Sequence, residues 1–89
     1  MNSRTTKRFR QMLAKLPSNI QQQAKGAYKL FIENSHHPSL RFKKVHNTDS
    51  IYSVRINMDY RAVGVVENGV IVWFWIGPHT EYEKLLGEL

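Results

Sequence analysis

At 89 residues the chain has room for one domain, spanning 1–89, with a modest core and little stability to spare. Its composition, 42% hydrophobic and 22% charged, excludes wholesale disorder, and the absence of cysteine excludes a disulfide framework, a thiolate zinc site and a cysteine nucleophile. The formal net charge of +6 is concentrated at the front: residues 1–46 carry ten Lys/Arg against one acid, Glu33, whereas residues 47–89 carry three against six, so the basic half is either a polyanion-binding face or a solubilising surface.

In chain order, Phe9, Met12, Leu13 and Leu16 recur at helical spacing and predict a helix over 5–16, stopped by Pro17. Ser18 with Gln21 reads as a capping box for a second helix, whose apolar face carries Ile20, Ala24, Ala27, Tyr28 and Phe31, and which ends at Asn34 to Pro38. The period then becomes alternating. Arg41 to Val45 reads as a short strand or extended loop, and Ile51 to Ile56 as a strand with Tyr52, Val54 and Ile56 on one face. Asn57-Met58-Asp59 is a turn, Tyr60 to Val66 a strand, Asn68-Gly69 a hairpin turn, and Val70 to Ile76 a central strand apolar on both faces. Gly77-Pro78 is expected to break the sheet, and Thr80 with Glu83 to form a second capping box for a last helix held down by Leu85, Leu86 and Leu89. The expected fold is α+β: an N-terminal antiparallel helical hairpin on a three- to four-stranded antiparallel sheet, with a short C-terminal helix. The longest apolar run, Val70 to Gly77, is too short to span a bilayer, and no apolar signal-peptide core follows Met1 to Arg4, so the expected compartment is the cytoplasm.

A turn centred on Met58 places Arg55 beside Arg61 across the two strands. Neighbouring guanidinium groups repel unless an anion lies between them or each has an acid of its own; the candidates are a phosphate, or Asp59, Glu67 and Asp49. His79 and Tyr82, three apart at the start of a helix, share a face. The imidazole suits proton transfer near neutrality and the phenol suits stacking or hydrogen bonding, while a capping histidine and a core-edge tyrosine are the structural alternatives. Arg41, Lys43, Lys44 and His46 precede the sheet as phosphate contacts or solvated charge. Trp73 and Trp75 fit core packing better than base stacking. His36-His37 has no carboxylate at ligand spacing, so neither a metal nor a cofactor is expected.

The succession of Leu16-Pro17 between helices, Tyr52-Ser53-Val54-Arg55-Ile56, Tyr60-Arg61-Ala62-Val63-Gly64 and Ile76-Gly77-Pro78-His79-Thr80-Glu81-Tyr82 resembles the RelE/ParE toxin superfamily over nearly the whole chain. The resemblance implies an antitoxin that wraps the toxin. It also implies either cleavage of mRNA on the ribosome, as in the RelE and YafQ branches, or non-catalytic inhibition of DNA gyrase, as in the ParE branch. Arg61 falls at the family's phosphate-binding arginine and Arg55 at a basic position in the preceding strand. Asp59-Tyr60 looks like the Asp-Trp pair of the YafQ branch, Gly77-Pro78-His79 is similar to its Gly-Thr-His, whose histidine is catalytic, and Tyr82 falls at the C-terminal tyrosine of RelE-like members. The implied catalytic set is His79, Arg61, Arg55, Tyr82 and Asp59, with Arg41, Lys43, Lys44 and His46 on the RNA backbone.

The sequence also departs from the family. Ser53 stands where RelE has a catalytic lysine, which leaves room for a degenerate toxin that only binds antitoxin or RNA. The β-turn before Tyr60 is one residue shorter. The usual N-terminal strand is expected to be missing, leaving a sheet edge for an antitoxin strand or a second copy of the chain.

Overall fold

The computed structural model describes residues Met1–Leu89. The elements run β1 (Asn2–Thr5), α1 (Lys7–Ala14), α2 (Ser18–Glu33), a 3-10 turn (Pro38–Leu40), β2 (Lys43–Lys44), β3 (Ile51–Arg55), β4 (Tyr60–Glu67), β5 (Val70–Pro78) and α3 (His79–Glu88). One sheet holds all five strands in the order β1-β5-β4-β3-β2, with β1 parallel to β5 and the other neighbours antiparallel. The α+β class matches the sequence reading. The strand count and the purely antiparallel sheet do not.

The difference lies in β1. Asn2-Ser3-Arg4-Thr5 is polar and carries no alternating apolar pattern, so nothing local marks it as a strand. It forms because β5 offers a free edge, onto which Asn2 to Thr5 pair with Val70 to Trp73. Ser3 then ties it to the interior: its hydroxyl donates to the Tyr28 hydroxyl at 3.0 Å and accepts from the Trp73 indole at 3.1 Å. The expected missing N-terminal strand is therefore present, and the open edges are β1 and the two-residue β2.

Thr5 belongs to β1, so α1 starts later than expected, with Thr6 as its cap accepting from the Phe9 amide at 3.0 Å. Neither expected capping box forms. Pro17 and Pro78 occupy the cap positions of α2 and α3, and no side chain caps either helix. Gln21 turns back instead to donate to the carbonyls of Ala14 and Leu16, which satisfies the end of α1. Nor does Gly77-Pro78 break the sheet. β5 continues through Pro78, which pairs with Tyr60, and runs into α3 with no loop.

The two faces of the sheet carry different cores. On one, α1 and α2 bury Phe9, Ala24 and Phe31 against Val54, Ala62, Ile71, Trp73 and Ile76. The rings of Phe31 and Trp73 meet edge to face at 5.3 Å. On the other, α3 packs Tyr82, Leu85 and Leu86 over Ile51, Val63, Phe74 and Trp75, while Leu89 stays exposed. A bulge makes β5 serve both. Val63 pairs with Trp75 and Gly64 with Trp73, so Phe74 is the extra residue and the alternation reverses between the two tryptophans. At Gly64 a β-carbon would lie 2.8 Å from the Trp73 ring and 3.0 Å from the Val72 carbonyl oxygen, so glycine is what lets the indole close onto β4. The expected Asn68-Gly69 hairpin is present with both residues at positive φ, 53° and 78°, as a type I′ turn requires.

Candidate active site

The β3–β4 turn fixes the first two site residues. Asn57 Oδ1 accepts from the amides of Asp59 and Tyr60 at 2.8 and 2.9 Å, and the Ile56 amide donates to the Tyr60 carbonyl, closing the turn. Arg55 is thereby set directly opposite Arg61, in the expected register. Arg61 spends one nitrogen on the turn itself: Nη1 donates to the carbonyls of Asn57 at 2.7 Å, Tyr60 at 3.0 Å and Met58 at 3.3 Å. The rest of the fork remains for a ligand. Burial, then the neighbouring Arg55, lowers the Arg61 pKa from its ordinary value; Arg41 adds to this, and Tyr82 and Asp59 oppose it.

These arginines line a cleft of about 450 Å³ on the α3 side of the sheet. Arg41, Lys43, Lys44 and Val45 come from the segment around β2, Ser53 and Arg55 from β3, Arg61 from β4, and His79, Tyr82, Glu83 and Leu86 from α3. Arg41 follows the 3-10 turn in a left-handed conformation, φ 46°, before the chain enters β2, where Lys43 pairs with Ser53. Five cations thus share one opening with a single acid, and none of the five forms an ion pair. Asp49 instead lies 3.9 Å from His46, and neither Asp59 nor Glu67 pairs with a cation.

His79 is the first residue of α3, and its amide donates to the Asp59 carbonyl at 2.6 Å, which joins the helix start to the β3–β4 turn. Its ring Nε2 lies 3.3 Å from Glu83 Oε1, and its ring centre 6.0 Å from that of Tyr82. Tyr82 is only 6% exposed. Its hydroxyl donates to Ser53 Oγ at 3.1 Å, and its ring tilts against Trp75. Ser53 is itself buried, so the position where the family resemblance expects lysine is a hydrogen-bond partner for the tyrosine under the cleft.

Seven of the nine expected site residues therefore converge: His79, Arg61, Arg55, Tyr82, Arg41, Lys43 and Lys44. Asp59 and His46 lie outside the lining. Asp59 contributes backbone: its carbonyl holds His79, and its carboxylate makes no hydrogen bond or ion pair. His46 has both ring nitrogens engaged, Nδ1 accepting from the Asp49 amide at 2.9 Å and Nε2 3.2 Å from the Leu89 carbonyl. Trp73 is buried in the helix-side core and Trp75 lies half-buried under Tyr82. His37 accepts from Ser39 at the 3-10 turn. Glu83 was missed as a site residue; the signal that could have found it is its place one helical turn after His79. No group of three His, Asp or Glu side chains is placed to hold a metal, and no helix is long and apolar enough to cross a membrane.

Comparison with solved structures returns the same architecture. YafQ from E. coli strain BL21(DE3) superposes with a TM-score of 0.72 at 8% identity, covering 91% of this chain and 96% of that one. RelE in the RelB–RelE complex from Methanococcus jannaschii gives 0.69 at 19% identity, covering 92% and 96%. The isolated E. coli RelE toxin gives 0.66 at 18% identity, covering 99% and 98%. No curated protein matches by sequence. A family model, the ParE-like toxin domain, matches residues 18–84, from the start of α2 to within α3 and across every cleft residue but Leu86. The chain belongs to this family, within the RelE/ParE superfamily of toxins.

Proposed function

We propose that this toxin is an endoribonuclease that cleaves mRNA on the ribosome. One observation carries the reading: Arg55 and Arg61, opposed and without acid partners, share a cleft with the imidazole of His79. An inhibitor acting by surface contact alone needs no such pairing of anion site and proton carrier. The scissile phosphate sits on the two guanidinium groups, with Arg41, Lys43 and Lys44 along the flanking backbone. The ribose 2′-OH gives its proton to His79, and the 2′-oxygen attacks the adjacent phosphorus. The bond to the 5′-oxygen then breaks, and that oxygen takes up a proton from water. The products are a 2′,3′-cyclic phosphate and a 5′-hydroxyl. The arginines stabilise the charge gathered on the phosphorane. Tyr82, held by Ser53, sets the floor beneath the nucleotide, and the Asp59 carbonyl fixes the start of α3.

The partner we propose is an antitoxin chain, as in the RelB–RelE complex from Methanococcus jannaschii and the E. coli DinJ–YafQ complex. A second reading, gyrase inhibition without catalysis, draws on the ParE-like family model and on serine at position 53. Induced expression of wild type, His79→Ala and Arg61→Ala in a bacterial host, with mRNA 5′ ends mapped, separates the two. New ends within coding regions are expected from wild type only. His79→Ala is expected to lower cleavage about 100-fold or more, as loss of a proton-transfer group does. Equal growth arrest by wild type and His79→Ala, with no new ends, would overturn the ribonuclease reading.

A further inference from the structure

Glu83 is the one acid in the cleft, and its placement works against the anion site. A carboxylate beside five cations weakens the anion site they form, yet its only ion pair is with His79, at 3.3 Å. Nor does the pair help the helix. The basic residue precedes the acid at i,i+4, the poorer order, and a charged imidazole at the first position of α3 opposes the helix dipole. RNA affinity therefore argues against an acid here, and its contact with His79 is what distinguishes it.

We propose that Glu83 is the positioning residue of His79: its carboxylate, 3.3 Å from Nε2, favours the ring proton on Nε2 and so sets the tautomer, leaving Nδ1 as the nitrogen that takes the proton. The nitrogen a histidine leaves unprotonated is set by the hydrogen bond its other nitrogen makes. The backbone is held as well, because the His79 amide is bonded to Asp59. The imidazole lines the cleft together with Arg55 and Arg61. The use of Nδ1 as base rests on the ribonuclease reading; the tautomer does not.

The test uses the full chain as wild type, Glu83→Gln and Glu83→Ala. Glu83 is exposed, with 62% of its side-chain surface free, so the variants keep the fold. Long-range 15N–1H NMR of the His79 ring, taken where the ring is neutral, reads the tautomer directly. The Nε2–H form is expected to dominate in wild type and Glu83→Gln, whose amide oxygen also accepts, and to give way to a mixture in Glu83→Ala. For cleavage of RNA, Glu83→Ala is expected to lower kcat roughly fivefold, the scale of an exposed pair, while KM falls because an acid has left the anion site. Glu83→Gln should restore kcat. An unchanged tautomer ratio in Glu83→Ala, or a kcat that stays level or rises there, overturns the proposal. If wild type cuts no RNA, the ribonuclease reading fails, and the NMR arm still decides whether Glu83 positions His79.

Discussion

Arg55 and Arg61 face each other across two strands with no acid between them, an arrangement that costs stability in the empty protein. Arg55→Gln is expected to stabilise the fold by about 0.5 kcal/mol in thermal or urea melts while weakening RNA binding, since relief of repulsion and loss of the anion site are one event. Arg61→Lys should lose about 100-fold in cleavage despite keeping its charge, because an ammonium cannot serve the turn carbonyls and a phosphate together; single-turnover rates check this. The arginine pair was legible because a turn centred on Met58 fixes the register on both sides of it. The partnership of Ser53 with Tyr82 was not, since the two lie 29 residues apart and meet only when α3 docks. Ser53 also gives the family departure a physical content. Replacing it with the lysine of RelE is expected to destabilise the protein, because a long cation would enter a site 2% exposed and displace the tyrosine hydroxyl. A fall in the urea midpoint is the measurement, and a gain in activity at unchanged stability would contradict it.

Among the elements, those with a strong local pattern were read correctly in kind: the two front helices, the β3–β4 and β4–β5 hairpins, and α3. Those made by tertiary pairing were missed. β1 has a polar sequence that becomes a strand only on the edge of β5, and the bulge at Val63/Gly64 leaves no compositional trace. Gly64 records its consequence. Gly64→Ala is expected to cost about 1–3 kcal/mol by overpacking, because the added carbon meets the Trp73 ring, Ile71 and a backbone carbonyl at once. A melt within 0.5 kcal/mol of wild type, the scatter of ordinary surface changes, would mean that the indole moves aside freely. The seamless passage from β5 into α3 matters for the site. His79 stands at the junction, so a strand in the middle of the sheet, rather than a mobile loop, sets where its ring can go.

For the whole molecule, the excess of positive charge in the first half of the sequence is not all one face. Arg41, Lys43 and Lys44 join Arg55 and Arg61 from the second half at the cleft, while the exposed cations of α1 and α2 belong to other elements. The charge count alone left polyanion binding and solubility open; convergence of five unpaired cations on one opening favours the first. RNA affinity should accordingly fall with salt, the slope of log K against log salt being about −3 if four or five phosphates are engaged at roughly −0.7 each. The central claim, that His79 and the two arginines cut RNA through its own 2′-hydroxyl, is tested most directly by the chemistry of the ends left behind. With translating ribosomes and wild-type protein, new 3′ ends are expected to carry 2′,3′-cyclic phosphate and new 5′ ends a free hydroxyl, and both should vanish with His79→Ala. Intact mRNA under the same conditions, or 3′-hydroxyl and 5′-phosphate ends, would contradict it.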